Sequence, residues 1–289
     1  MKPAPFEYFA PTTLDQALEL TSHYGSSQKV LAGGQSLVPM MNMRLARPEQ
    51  LIDLNRIQGL DGIQEDGVDL VIGATTRQRA LERSDTVRRK APLLFEAVQQ
   101  IGHVQIRSRG TIGGSLSHAD PAAEIPAVLT AYDGELVAAS VGGERAIKVT
   151  DFFVSTFTTT LADDEIVTSV RFTNPRAWNG WAFTEVAKRH GDFALVSSAV
   201  LIALTNGTVS DARIVLGSVA DRPIRATKSE AVLRGRSAEE DAFNAVADAV
   251  RNEVNPDGDV HASADYKRHV AGVLTRRSLV AAAERGRRN

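Results

Sequence analysis

Apolar positions first recur with helical spacing at Leu14, Ala17, Leu18 and Thr21, which predicts a helix near the start of the chain. Thr13 and Gln16 have capping-box spacing at its beginning, and Gly25 supplies its end. A β-prone run over 28–32 follows, then a helical segment over 36–44 with Pro39 near its first turn, then a strand over 51–54. Asp66-Gly67 marks a hairpin turn into a strand over 68–74. Residues 76–100 read as helical with a fresh start at Pro92, and 121–132 as a helix opened by Pro121. Strands recur over 135–139, 145–149 and 165–172. Asn174-Pro175-Arg176-Ala177 reads as a boundary. Beyond it come strands over 181–187, 199–204 and 212–219, with Asn206-Gly207 as the clearest hairpin turn. Helices over 237–252 and 265–285 close the pattern. The expected organisation is α+β in three units, 1–55, 56–177 and 178–289.

Composition narrows the chemistry. The chain has 289 residues, 43% of them hydrophobic, enough for a substantial core. A net charge of -2 argues against a general nucleic-acid binder. There is no cysteine, so iron–sulfur clusters, thiolate zinc sites and cysteine nucleophiles are excluded within this chain. Six histidines remain, none in a His-x-x-x-His or His-Glu-x-x-His pattern, and no metal site is expected. Residues 1–6 show no signal-peptide core, and no stretch has the apolar length of a membrane span, so a soluble cytoplasmic protein is expected.

Two glycine pairs stand out, Ala32-Gly33-Gly34-Gln35-Ser36-Leu37 and Thr111-Ile112-Gly113-Gly114-Ser115-Leu116. A Gly-Gly step permits φ > 0 and close approach of a ligand to the main chain. Successive N–H groups then face one concavity, which suits a phosphate oxygen. Either pair alone reads as an ordinary turn. The repetition of Gly-Gly, Ser and Leu points to two halves of one anion site, with pyrophosphate as its guest. Neither pair belongs to a G-x-G-x-x-G or Walker motif, and neither carries Lys or Arg. Backbone amides would carry the binding, each hydrogen bond to a charged group contributing roughly 1.5–3 kcal/mol.

The polar cluster His118-Ala119-Asp120-Pro121 leaves the second pair, placed to touch a ribityl chain or an adenine; Asp120 also suits an N-cap with no ligand at all. Ser115 and Ser117 lack the G-x-S-x-G context of a nucleophile elbow, so no catalytic triad is expected. Lys188-Arg189-His190-Gly191-Asp192-Phe193 is a dense polar turn between two strands. Arg276, Arg277, Arg285, Arg287 and Arg288 read as a solvated helix end complementing the helix dipole.

The segments from Ala32 to Met41 and from Gln105 to Pro121 resemble the FAD-binding medium subunits of molybdenum hydroxylases, the xanthine dehydrogenase family. The likeness extends over essentially the whole chain, including Lys188 to Ala194. It implies a vanillyl-alcohol-oxidase-type fold of two FAD-binding subdomains, followed by a C-terminal domain of antiparallel sheet and helices. It implies that Val30, Leu31, Ala32, Gly33, Gly34, Gln35, Ser36 and Leu37, with Thr111, Ile112, Gly113, Gly114 and Ser115, wrap the pyrophosphate and ribityl region. Ile101 and Glu124 match positions near the flavin or its chain, and Ile166 and Val167 a backbone contact. Lys188, Asp192 and Phe193 match a loop close to the isoalloxazine. Some members carry tyrosine at Phe193 and many carry asparagine at Ser108. Gln35 replaces the histidine of carbon monoxide dehydrogenases, which counts against a carbon monoxide enzyme.

The same resemblance implies two partners: a large molybdenum–pterin subunit that hydroxylates substrate, by family tendency an N-heterocycle, and a small subunit with [2Fe–2S] clusters. The implied assembly is a dimer of heterotrimers, with oxygen, NAD or a quinone as final acceptor. Absence of cysteine fits a chain that carries flavin and no cluster. A self-contained flavin oxidase of the same fold is the alternative; the region after Ala177 shows no catalytic constellation for it.

Overall fold

The first apolar stripe folds as helix Leu14–Tyr24, with Ala17, Leu18 and Thr21 buried. Thr13 caps it by accepting from the Gln16 N–H, and Gln16 reaches back to the N–H of Thr12, one residue before the position an ideal capping box uses. Gly25 ends it at φ 52. This is a computed structural model, and it describes residues 2–173 and 177–288. The boundary expected at Asn174-Pro175-Arg176 lies outside the described residues.

Three main sheets organise the chain. The first joins β1 (Glu7–Phe9), β2 (Gln28–Leu31) and β3 (Gln50–Asp53) in the parallel order β1-β3-β2. β1 was not legible in the sequence, because three largely exposed residues give no periodic signal. The second sheet is antiparallel, built from β4 (Ile63–Asp66), β5 (Asp69–Gly73), β6 (Glu135–Ser140) and β7 (Gly143–Lys148). A small hairpin, β8 (Phe153–Ser155) with β9 (Thr158–Thr159), precedes its last strand, β10 (Ile166–Phe172). Its order is β4-β5-β10-β6-β7. The third sheet runs antiparallel through β11 (Gly180–Val186), β12 (Val196–Thr205), β13 (Thr208–Gly217) and β14 (Ile224–Arg225). Asn206 at φ 50 and Gly207 at φ 79 make the β12–β13 turn, as their sequence predicts.

Packing of the third sheet brings the chain's parts together. One face, with Phe183, Ala199, Leu201 and Val215, shares a core with helices Pro92–Val98 and Glu124–Ala131. The other face, with Ala182, Val200, Ile202 and Leu216, packs on helices Glu240–Glu253 and Ala264–Gly286. Burial on both faces explains the near-continuous apolar run in β12. The first sheet docks on the second through Ala17, Ile52, Leu54, Ala139 and Ile166.

Several expectations need correction. The second glycine pair, which alone reads as an ordinary turn, instead opens helix Ile112–His118, and a helical turn, Val104–Arg107, precedes it. The helix expected over 121–132 is Glu124–Ala131; Pro121 lies outside it, and all eight of its residues are buried. Helix Thr227–Leu233 was missed. The basic tail is not simply solvated. Arg285 donates to both oxygens of Glu96, at 2.6 and 3.1 Å, and to the Trp181 carbonyl at 2.6 Å. Arg276 meets Glu240, and Arg287 meets Glu239.

Candidate functional site

The two glycine pairs lie side by side, but they do different work. Of the four glycines only Gly34 has φ > 0, at +73. A Cβ on Gly33 would stand 2.4 Å from the Arg109 carbonyl oxygen and 2.7 Å from the Gly110 Cα. A Cβ on Gly113 would meet the Ala74 side chain at 2.6 Å and its carbonyl oxygen at 2.8 Å. Close packing thus requires glycine at both positions. Gly114 lies on the side facing the first pair, where its Cβ would be 3.6 Å from that of Ala32.

Their amides also differ. In the second pair, Ile112 donates to Thr76 O, Gly113 to Ala74 O, Gly114 to Thr111 Oγ1 and Ser115 to Thr111 O. The N–H groups of Gly33, Gly34, Gln35, Ser36 and Leu37 find no acceptor among the described residues. Gly33, Gly34 and Gln35 line a cleft of ≈ 300 Å³ whose other walls are Leu31, Val38, Pro39, Asn42 and Arg109. Consecutive unpaired donors at the start of helix Leu37–Asn42 make an anion cradle. The amides of the second motif are paired within the chain, to Thr76, Ala74 and Thr111, and the motif buttresses the first pair by packing beside it.

A polar latch fastens the buttress to the cradle. Asn55 donates from Nδ2 to Ala32 O at 2.8 Å, and its carbonyl oxygen accepts from Arg77. Arg77 also donates to Arg109 O at 2.6 Å. Burial, and then the neighbouring Arg109 charge, lower the Arg77 pKa. Asp53 accepts from the Asn55 N–H at 2.9 Å and from Tyr8 OH at 2.6 Å; the bond to Asp53, then burial, raise the Tyr8 pKa. The sequence reading missed Asn55, Arg77, Asp53 and Tyr8. They are scattered over the first sheet and the loop after β5, and no local motif joins them.

The remaining predicted residues fall into two groups. Val30 and Leu31 sit at the end of β2 beside the cradle. Ile101, His118, Asp120 and Glu124 lie with the second motif and its exit. Asp120 is not the N-cap of helix Glu124–Ala131; it accepts from Ala122 N–H at 2.9 Å within the preceding turn. His118 stacks on Phe157 with ring centroids 4.8 Å apart, and burial lowers its pKa. Glu124 is buried, and desolvation, followed by the nearby Glu185 carboxylate, pushes its pKa up to about 8. Glu185 is itself raised to about 7 by burial, and its Oε2 has no hydrogen-bond partner among the described residues. Ile166 and Val167 are core residues, so a ligand would meet them through main chain.

Lys188, Asp192 and Phe193 come to this region from the third sheet. Gly191, at φ +87, lies against His103: a Cβ there would be 2.8 Å from the imidazole. Ser218 ties the same loop to the polar cluster, donating from N to Pro121 O and from Oγ to Ala194 O. Lys188 Nζ is 2.9 Å from His261 Nδ1, and Phe193 is 69% exposed. No group of three or more metal-ligating side chains occurs among the described residues.

Residues 4–175 match the family model described as FAD binding domain in molybdopterin dehydrogenase, and residues 181–282 match the CO dehydrogenase flavoprotein C-terminal domain. The chain is 39% identical to the carbon monoxide dehydrogenase medium chain of Hydrogenophaga pseudoflava, over 98% of each. It is 37% identical to the nicotine 6-hydroxylase medium subunit of Paenarthrobacter nicotinovorans, over 99% of this chain and 100% of that one. Among solved structures it is similar to a carbon monoxide dehydrogenase from Hydrogenophaga pseudoflava that lacks the Mo-pyranopterin moiety. There the TM-score is 0.96 and the identity 41%, over 99% of both chains. It is also similar to quinoline 2-oxidoreductase from Pseudomonas putida 86, with TM-score 0.95 and 32% identity, over 98% of this chain and 99% of that one.

Proposed function

This chain belongs to the family of FAD-binding medium subunits of molybdopterin dehydrogenases, and from that premise we propose that it is the electron-output subunit of such a complex. It receives electrons from [2Fe–2S] clusters of a small partner and delivers them to an external acceptor: oxygen, NAD or a quinone. A large molybdenum–pterin partner hydroxylates the substrate, an N-heterocycle in this reading. The complex is a cytoplasmic dimer of heterotrimers. No helix among the described residues is long and apolar enough to cross a membrane.

The observation that carries this reading is the row of amides, unpaired among the described residues, that starts at Gly33, Gly34 and Gln35 in the wall of the cleft and runs on to Leu37. These residues fit FAD: the amides and the helix start would hold its pyrophosphate without a basic side chain. When bound, the isoalloxazine supplies the redox chemistry of the subunit. The chain's own part is to bind and orient. The Asn55–Arg77 latch keeps Ala32 and Arg109 in place, so the cradle keeps its shape. Thr111 caps helix Ile112–His118 and fixes the floor beneath it. With its pKa raised to about 8, Glu124 keeps its carboxyl proton at neutral pH and can donate a hydrogen bond there.

Isolation of the complex from its native source, with absorbance spectra, metal analysis and mass spectrometry of every chain, tests the proposal. The expected result is flavin together with iron, molybdenum, a large subunit and a small cluster subunit. A yellow single chain that turns over an organic substrate by itself would replace this reading with a self-contained oxidase.

A further inference from the structure

The chain has no cysteine, so in the electron-output reading the cluster that reduces its flavin belongs to another protein docked close to the cleft. One wall of that cleft continues onto an unusual surface. Helix Leu37–Asn42 carries Val38, which lines the cleft and is 40% exposed. The turn after it displays Met43 at 53% and Leu45 at 71% exposure. Exposed apolar side chains grouped in this way mark interaction sites more often than scattered ones do.

The turn is held rigidly. Arg44 adopts φ 61, a left-handed conformation that costs a non-glycine residue energy. Three main-chain bonds fix it: Arg44 N to Met41 O, Leu45 N to Met40 O and Ala46 N to Met40 O. Meanwhile the chain's net charge is -2, yet the residues around this ridge are cationic. Arg44, Arg47 and Arg109 are all exposed, and none of their guanidinium groups pairs with a carboxylate among the described residues. The structure thus combines an apolar centre with an unneutralised basic rim, beside the mouth of the cofactor cleft.

We propose that the ridge formed by Val38, Met43 and Leu45, rimmed by Arg44, Arg47 and Arg109, is the docking surface for the iron–sulfur partner. Thiolates and sulfides outweigh the ferric charge in a [2Fe–2S] centre, so its carrier presents negative potential where the cluster nears the surface. The arginine rim attracts and orients that surface, and the apolar ridge is desolvated on contact. The inference rests on the electron-output reading above and goes beyond it by naming the face that the donor uses.

The test uses the whole complex, purified through a tag on this chain, as wild type and as the double variant Met43→Glu/Leu45→Glu. Flavin per chain, iron per chain and the stoichiometry of the small subunit are measured for each. In the double variant, flavin content stays at the wild-type level while iron and small subunit fall by more than about tenfold, the effect of losing large apolar side chains from an interface centre. Retention of iron and small subunit by a flavin-loaded double variant overturns the docking surface and leaves the electron-output reading intact. Wild-type material with flavin but no iron overturns that reading itself. Arg47→Glu serves as the second variant, because its side chain is exposed and its effect does not depend on the fold tolerating buried charge. Its loss of small subunit relative to wild type is greatest at low ionic strength and shrinks as salt is raised, since screening weakens both the wild-type attraction and the variant's repulsion; salt-independent, wild-type association would count equally against the proposal.

Discussion

Gly33 rests directly on Gly110, so closely that a methyl group on Gly33 would lie 2.7 Å from the Gly110 Cα. This contact joins the first glycine motif to the segment leading into the second. It also separates two roles that one sequence pattern conceals. Gly33 and Gly113 fill close backbone approaches, whereas Gly34 supplies the turn that exposes the amides.

Substitution should resolve these roles. Gly33→Ala must push apart two main-chain segments, and a destabilisation of about 1–3 kcal/mol is expected, with loss of bound flavin as the cradle shifts. Gly34→Ala meets only the flexible ends of Leu31 and Val38 at 3.2 Å, but its left-handed φ costs roughly 1–2 kcal/mol. Thermal unfolding and flavin-to-protein absorbance ratios distinguish the cases. Wild-type flavin content and stability in Gly33→Ala would show that the contact is not tight in solution.

Asn55 links the carbonyl of Ala32 to the guanidinium of Arg77. Asn55→Ala removes these bonds from an exposed position, so its effect on global stability should be small, about 0.5–1.5 kcal/mol. Flavin should nevertheless leave faster, because the cradle loses its tie to the buttress. Recovery of FAD fluorescence on dilution reports the release rate. Equal rates in wild type and Asn55→Ala would remove the latch from the account.

Glu124 gives the protein a pH-dependent weakness. Its pKa rises from 4.5 in the unfolded chain to about 8 in the folded one, so the folded state binds the proton more tightly. Stability is therefore greatest below the unfolded value and is lost as pH rises through about 8. Glu185, raised to about 7, adds to the loss in the same direction. Glu124→Gln should flatten the fall in unfolding midpoint between pH 6 and pH 9 and raise the midpoint at the alkaline end. An unchanged slope would mean that Glu124 is not the group responsible.

Arg285 clamps the last helix to helix Pro92–Val98 through Glu96, and its guanidinium lies 5.5 Å from the Trp181 ring centre. Arg285→Ala should cost about 1.5–3 kcal/mol, the range for hydrogen bonds to charged groups. Arg288→Ala, at an exposed position on the same tail, should fall within about 0.5 kcal/mol of wild type. Chemical denaturation of both variants makes the comparison.

The sequence by itself determined the elements whose causes are local. The Thr13 cap, the Asn206-Gly207 turn and the alternating strands follow from short-range sterics and hydrogen bonding, and they appear where the residues predict. The two glycine motifs were equally legible, because Gly-Gly is an unusual local choice. Only the tertiary structure decided what each does. Whether a glycine faces a ligand or a neighbouring backbone depends on which segment packs against it, and Ala74 and Gly110 are distant in sequence or silent in pattern. The second motif became helical because Thr111 could cap it and Ala74 and Thr76 could take its amides. Asn55, Arg77 and Asp53 became a latch, and Arg285 a clamp, only when separate lobes met. The shifted pKa of Glu124 arises from its burial and the nearby Glu185 carboxylate of the third sheet, neither of which the local sequence shows. Burial and long-range pairing are properties of the assembled core, and no stretch of sequence carries them alone.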